Sequence, residues 1–247
     1  MTISLDFWMA CASCVVAIVA CLAVAVLTPR LQSGQTVAWA LVAVPSLGLA
    51  LWAVHFTALL AWRLPIAPEP DIPLTLLSIE AAVVASALVV WLGRKGHLRG
   101  VRLVAAVAAL TAAVAAMRYF GIASMRLVPA AQFDYPMFLG FIAAAAAVAY
   151  AVLQHAEKGL MSSSIGRRVC AAALMGTAIW AVHLVSITTA RMAPSPFRPA
   201  AFTIDAVALG YGVACGTVLL LMVVCALALV HARTAQASVM TDRGFAG

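Results

Sequence analysis

The chain has 247 residues, of which 66% are apolar and 9% charged, and its mean hydropathy is +1.09. A soluble domain of this size cannot bury so much apolar surface, so the composition excludes a soluble globular protein and leaves an integral membrane protein. The net charge of +7 does not point to nucleic acid, because the basic residues sit mostly in short loops between apolar runs, where membrane topology accounts for them.

Seven apolar runs, at about 6–27, 37–62, 73–92, 101–125, 137–154, 167–190 and 203–231, are each long enough to cross a hydrocarbon core that takes about 20 helical residues. The runs do not alternate, so the expected form is helix, which satisfies its own backbone in lipid. The first run lacks a basic flank and a cleavage site and is expected to be a retained helix. Six cysteines are scattered, four of them inside apolar runs, so no disulfide framework is legible.

The loops set the orientation. One set carries Arg30, Arg94, Lys95, Arg99, Arg102, Lys158, Arg167, Arg168, Arg233 and Arg243; the opposite set carries Arg63, Arg126, Arg191 and Arg198. The excess of basic residues belongs on the cytoplasmic side, so the N-terminus is expected outside and the C-terminus in the cytoplasm. The stretch after His231 is short, so output is expected to pass through the helices or through a separate signalling partner.

A segment recurs near the outer end of alternate runs, at about 52–65, 116–129 and 180–194. His55, Arg118 and His183 hold equivalent places in it, 63 and 65 positions apart, and each is followed eight positions later by Arg63, Arg126 or Arg191. The same internal offsets recurring at one period are an internal repeat. The expected fold is therefore an all-α membrane protein of seven transmembrane helices, one leading helix plus three repeated helical hairpins. The membrane domain spans 1–231, with a short cytoplasmic tail at 232–247. Pro65, Pro129 and Pro194 mark the external turns.

His55 and His183 are the histidines inside the runs. An ionisable group in hydrocarbon is costly and marks a functional candidate, although a His hydrogen-bonded to a neighbouring helix would explain each one singly. Two imidazoles at matched positions of two repeats, hence at matched depth, form a plausible ligand pair for a transition metal or a haem iron. Arg118, in the second copy, stays charged and cannot ligate a cation. Glu80 is expected at similar depth on the preceding helix, which predicts an Arg118–Glu80 ion pair in place of a third ligand. Tyr119 flanks this position. Met117 and Met125 offer thioethers suited to Cu(I), with ordinary packing as the alternative. Cys11 and Cys14 form a CxxC on one face of the first helix, a weaker candidate for copper or zinc. Thr57 and Ser186 lie near the histidines, but no catalytic triad, paired carboxylate or phosphate loop is present, and no catalytic residue is assigned.

These segments resemble the MHYT family of bacterial seven-helix membrane domains, which carries a Met-His-Tyr/Phe-Thr-Gly-Met segment near the outer ends of the second, fourth and sixth helices. The matching stretches are Val54-His55-Phe56-Thr57, Met117-Arg118-Tyr119-Phe120-Gly121 and Val182-His183-Leu184-Val185, and the resemblance covers nearly the whole chain. The departures are Val54 and Val182 for the leading Met, Arg118 for the middle His, and Leu59, Ile122 and Ile187 where the second Met is expected. The resemblance implies a sensor of the bacterial inner membrane that binds copper through the motif residues and detects oxygen, carbon monoxide or nitric oxide.

Two other functions stay open from the residues. A haem-binding redox protein would use His55 and His183 as axial ligands, and a transporter or channel would use the intramembrane Arg and Glu as part of an ion path. A retinal photoreceptor is disfavoured because the seventh run has no Lys for a Schiff base.

Overall fold

The computed structural model describes residues 4–31, 36–63, 71–93, 98–124, 132–133, 135–160, 164–187, 190–191 and 206–244. The described residues form seven helices: α1 (Phe7–Leu31), α2 (Thr36–Leu60), α3 (Ile72–Gly93), α4 (Gly100–Ser124), α5 (Tyr135–Leu160), α6 (Ile165–Ile187) and α7 (Ala206–Gly244). Each contains a stretch long and apolar enough to cross a membrane, so the all-α, seven-span reading holds. Four two-residue strands, β1 (Ser4–Leu5), β2 (Trp62–Arg63), β3 (Gln132–Phe133) and β4 (Ala190–Arg191), gather at one end of the bundle.

The last helix, α7, continues through the short stretch expected as a tail after residue 231, to Gly244. The stretch after His231 is built from Ala, Arg, Gln, Met and similar residues with no Pro and no Gly before Gly244, so nothing in it stops a helix.

Six helices close into a ring: α1 packs on α2, α2 on α3, α3 on α4, α4 on α5, α5 on α6, and α6 back on α1. α7 packs against α1 and α2, where Leu221 and Val224 meet Ala23, Leu27 and Leu47. Within the ring α2 also touches α4 and α6, so the motif-bearing helices approach one another. Small residues permit the close crossings. A Cβ on Gly48 would lie 2.7 Å from the Val83 backbone, and one on Gly176 would lie 2.7 Å from the Ile18 backbone.

The repeat is written in backbone hydrogen bonds at the strand-bearing end. β1 pairs antiparallel with β2, Ser4 opposite Arg63, and β3 pairs with β4, Gln132 opposite Arg191. Every partner in the second pair stands 128 positions after its counterpart in the first, the same offset that separates His55 from His183. The N–H of Asp6 donates to the Ala61 carbonyl at 2.6 Å, and the N–H of Asp71 donates to the Ser124 carbonyl at 2.7 Å. Each aspartate also caps the helix it opens, accepting from Met9 N and Leu74 N at 3.1 Å, which satisfies donors the first turn leaves over. Asp134 holds the corresponding sequence position and lies outside the described residues. The repeated hairpins can thus equally be framed one helix earlier, as α1–α2, α3–α4 and α5–α6, each tied at one end, with α7 following.

Candidate functional site

His55 lies five residues before the end of α2 and His183 four before the end of α6. Their neighbours Val54, Phe56, Ala58 and Leu59 are buried apolar side chains, which leaves the imidazoles as polar groups in a dry interior. The two rings meet edge to face, centroids 5.7 Å apart at 61°, with His55 1% and His183 2% exposed. Histidines 128 positions apart in the chain are therefore brought into contact by closure of the ring of helices.

The remaining motif helix, α4, forms the wall. Gly121 on α4 faces His55, and a Cβ there would stand 2.5 Å from His55 Nε2, 2.9 Å from Cδ2 and 3.2 Å from Ser78 Oγ. The missing side chain leaves a cradle at the ring nitrogen. Neither ring nitrogen of His55 has a hydrogen-bond partner among the described residues, an expensive state for a buried polar group. Two serines hold the frame from the helices opening the first two hairpins. Ser13 on α1 donates to the Val54 carbonyl at 2.8 Å, and Ser78 on α3 donates to the Met117 carbonyl at 2.8 Å. Each serine stands seven positions after its capping aspartate and reaches the residue just before the motif His or Arg. Sequence reading missed both serines and Gly121; the shared offset from Asp6 and Asp71 is the signal that marks the serines.

Arg118 is fully buried. Its guanidinium carbon lies 4.7 Å from the Phe141 ring centroid and 5.6 Å from that of Phe138, both on α5. The expected Arg118–Glu80 ion pair is not formed. Glu80 is exposed on the flank of α3, whereas Arg118 points into the ring. Equal offsets bear on depth and say nothing about the direction a side chain takes around its helix, and the aromatic faces of α5 receive the cation.

The remaining candidates divide. Met117 is fully buried, packed in the cluster that holds Phe56, Ile122 and Leu184. Tyr119, one residue on from Arg118 and so turned about 100° around the helix, is 50% exposed against Phe120. Cys11 and Cys14 are half-buried free thiols on α1, and among the described residues no third His, Cys, Asp or Glu joins the histidine pair. Met125 lies outside the described residues. Trp52 is buried and stacked on Phe56 at 4.8 Å.

The donor set fits a metal of low coordination number. A metal held about 2 Å from one nitrogen of each imidazole sets the ring centroids roughly 5–6 Å apart, which brackets the observed separation. Two imidazoles with His55's nitrogens available and a cradle at Gly121 suit copper.

Residues 48–110 match the MHYT family, described as a bacterial signalling protein N-terminal repeat. The bifunctional diguanylate cyclase/cyclic di-GMP phosphodiesterase MucR of Pseudomonas aeruginosa is 30% identical over 203 residues, which are 79% of this chain and 28% of that protein. The cyclic di-GMP phosphodiesterase NbdA of the same organism is 30% identical over 152 residues, 60% of this chain and 19% of that protein. The chain therefore spans less than a third of the length of either relative. No solved structure matches it.

Proposed function

We propose, from the premise that this chain belongs to the MHYT family of bacterial signalling-protein repeats, that it is a multi-pass membrane sensor whose sensing element is the His55–His183 pair. The observation that carries this reading is the contact of two fully buried imidazoles from different repeats, beside a glycine that leaves room at the ring nitrogen. His55 and His183 hold copper, with Met117 and the motif residue Met125 as further soft donors. Bound copper supplies a coordination position for oxygen, carbon monoxide or nitric oxide.

The protein residues have separate tasks. Ser13 and Ser78 fix the backbone next to the motif residues, Gly121 lets the His55 ring pack against α4 where a Cβ would collide with it, and the surrounding apolar side chains exclude water. The site sits near the outer face of the bacterial inner membrane, with the N-terminus outside, because ten basic loop residues lie on one side and four on the other. A change at the pair reaches a signalling partner through the helices. The names of the relatives associate such a region with cyclic di-GMP turnover, which makes a cyclic di-GMP enzyme the first partner to try.

The deciding experiment is elemental analysis and an absorption spectrum of the purified protein beside a His55→Ala/His183→Ala variant. About one copper per wild-type chain and none in the variant supports the reading. Equal metal in both refutes the site, and a Soret band lost in the variant replaces copper by haem.

A further inference from the structure

The connection from α3 into α4 concentrates charge of one sign. Arg94, Lys95, Arg99 and Arg102 fall within nine positions, and no Asp or Glu occurs between Glu80 and Asp134. The connection from α1 to α2 carries Arg30 as its one charged residue, and that from α5 to α6 sets Glu157 beside Lys158. Next to the α3–α4 connection a groove of about 790 Å³ opens between the two helices. Leu88 and Trp91, one turn apart on α3, line one side, and Ala105 and Ala109, one turn apart on α4, line the other. The exposed alanines leave space that longer side chains would fill. Arg99 and Arg102, both exposed, line the same groove at the end beside the connection. Arg102, Ala105 and Ala109 share one face of α4, so the groove reaches about 10 Å from the guanidinium end towards the bilayer interior. The rim is held in place: Gln154 on α5 donates to the Leu98 carbonyl at 2.9 Å, and Gly100, at a φ of 56°, turns the chain into α4.

We propose that this groove seats an anionic phospholipid, its phosphate on Arg99 and Arg102 and one acyl chain along Leu88, Ala105 and Ala109. Charge and shape both select that occupant. Guanidinium groups match phosphate oxygens in pairs, and basic pockets between spans at the cytoplasmic surface suit anionic headgroups. The excess of basic residues assigns this end of the bundle to the cytoplasmic side, where the leaflet is negative. A soluble anion is a poorer match, because the space below the arginines is apolar and covers much of the roughly 15 Å depth of one hydrocarbon leaflet. A zwitterionic lipid is also poorer, because its ammonium group brings a cation to a connection that already carries four. The half-exposed Trp91 sits beside the same groove, where an indole reports directly on the chain lying against it.

The test uses the full chain in phosphatidylcholine nanodiscs containing a rising fraction of phosphatidylglycerol with brominated acyl chains. Bromine quenches an indole on contact, and the Trp91 signal is the difference between the wild type and Trp91→Phe. Brominated phosphatidylglycerol is expected to quench Trp91 at a mole fraction roughly 25-fold lower than brominated phosphatidylcholine, about fivefold for each arginine. Arg99→Gln/Arg102→Gln removes the charges, and Ala105→Leu/Ala109→Leu fills the groove while keeping them; in both variants the two brominated lipids are expected to quench alike. A wild type quenched equally by the two lipids overturns the proposal, and this arm decides even where a variant fails to fold. A groove-filled variant that folds and keeps the preference also overturns it, because the basic connection then attracts anionic lipid without seating it. So does loss of the preference on adding soluble glycerol phosphate at unchanged ionic strength, which would make the arginines a site for free phosphate.

Discussion

Replacing Gly121 by Ala is the sharpest probe of the site, because it adds one carbon where the structure leaves none to spare. The new Cβ would lie 2.5 Å from His55 Nε2 and 2.9 Å from Cδ2, against an ordinary contact of about 3.5 Å. The imidazole must retreat by roughly 1 Å, within a buried site where it also contacts the His183 ring. Overpacking of this kind costs about 1–3 kcal/mol, while Ala recovers about 1 kcal/mol of helix propensity over Gly. The net loss of stability is therefore small, about 0–2 kcal/mol, and the loss of function is not. A ligand displaced by more than about 0.5 Å no longer holds productive geometry, so copper affinity should fall by more than about tenfold, or 1.4 kcal/mol. Thermal unfolding followed by circular dichroism, together with copper content after dialysis, separates the two effects. Gly216→Ala is the control, since a Cβ there meets nothing within 4 Å on α7, and it should leave copper unchanged. Wild-type copper affinity in Gly121→Ala would refute the packing argument at His55.

Three further outcomes follow from the same structure. Asp71→Ala should cost about 0.5–2 kcal/mol by removing the cap that Leu74 N donates to, and Asp71→Asn should recover most of it, as read by unfolding in mixed micelles; a neutral Asp71→Ala would contradict the capping role. Ser78→Ala removes the hydroxyl bonded to the Met117 carbonyl and should cost about 0.6 kcal/mol, the average for such bonds in membranes, with loosened copper binding as the companion readout. Glu80→Gln should insert and unfold as the parent does, within about 0.5 kcal/mol, because Glu80 is exposed and not joined to Arg118; a large loss would revive the ion pair.

The parts of the molecule that depend on one dimension were legible in the sequence. Spans follow from run length, and the matched depth of His55 and His183 follows from equal offsets within a repeat. The angular arrangement was not legible. Whether Arg118 turns towards Glu80 or Phe141 depends on the rotation of α4 between two neighbours, and helix periodicity does not define that rotation when nearly every position around α4 is apolar. Gly121 was visible as a motif residue, yet its value lies in what it touches across the ring. The serine positions could have been found by aligning the hairpins on Asp6, Asp71 and Asp134 rather than on the histidines, because a cap marks a helix start more sharply than a buried ligand marks its middle.

The closed ring of six helices has a consequence for assembly. Contacts within each hairpin, α1 with α2, α3 with α4 and α5 with α6, join neighbours in the chain and can form as each pair enters the bilayer. The seam between α6 and α1 joins the ends of the series and must wait for the last hairpin. His55 and His183 come from the first and last hairpins, so their meeting marks completion of that seam. Anything bound between them stabilises the closed ring over an open one by mass action. The histidine pair is thus a clasp as well as a detector, and its occupancy reads out as the tightness of a joint between helices that the chain itself keeps far apart.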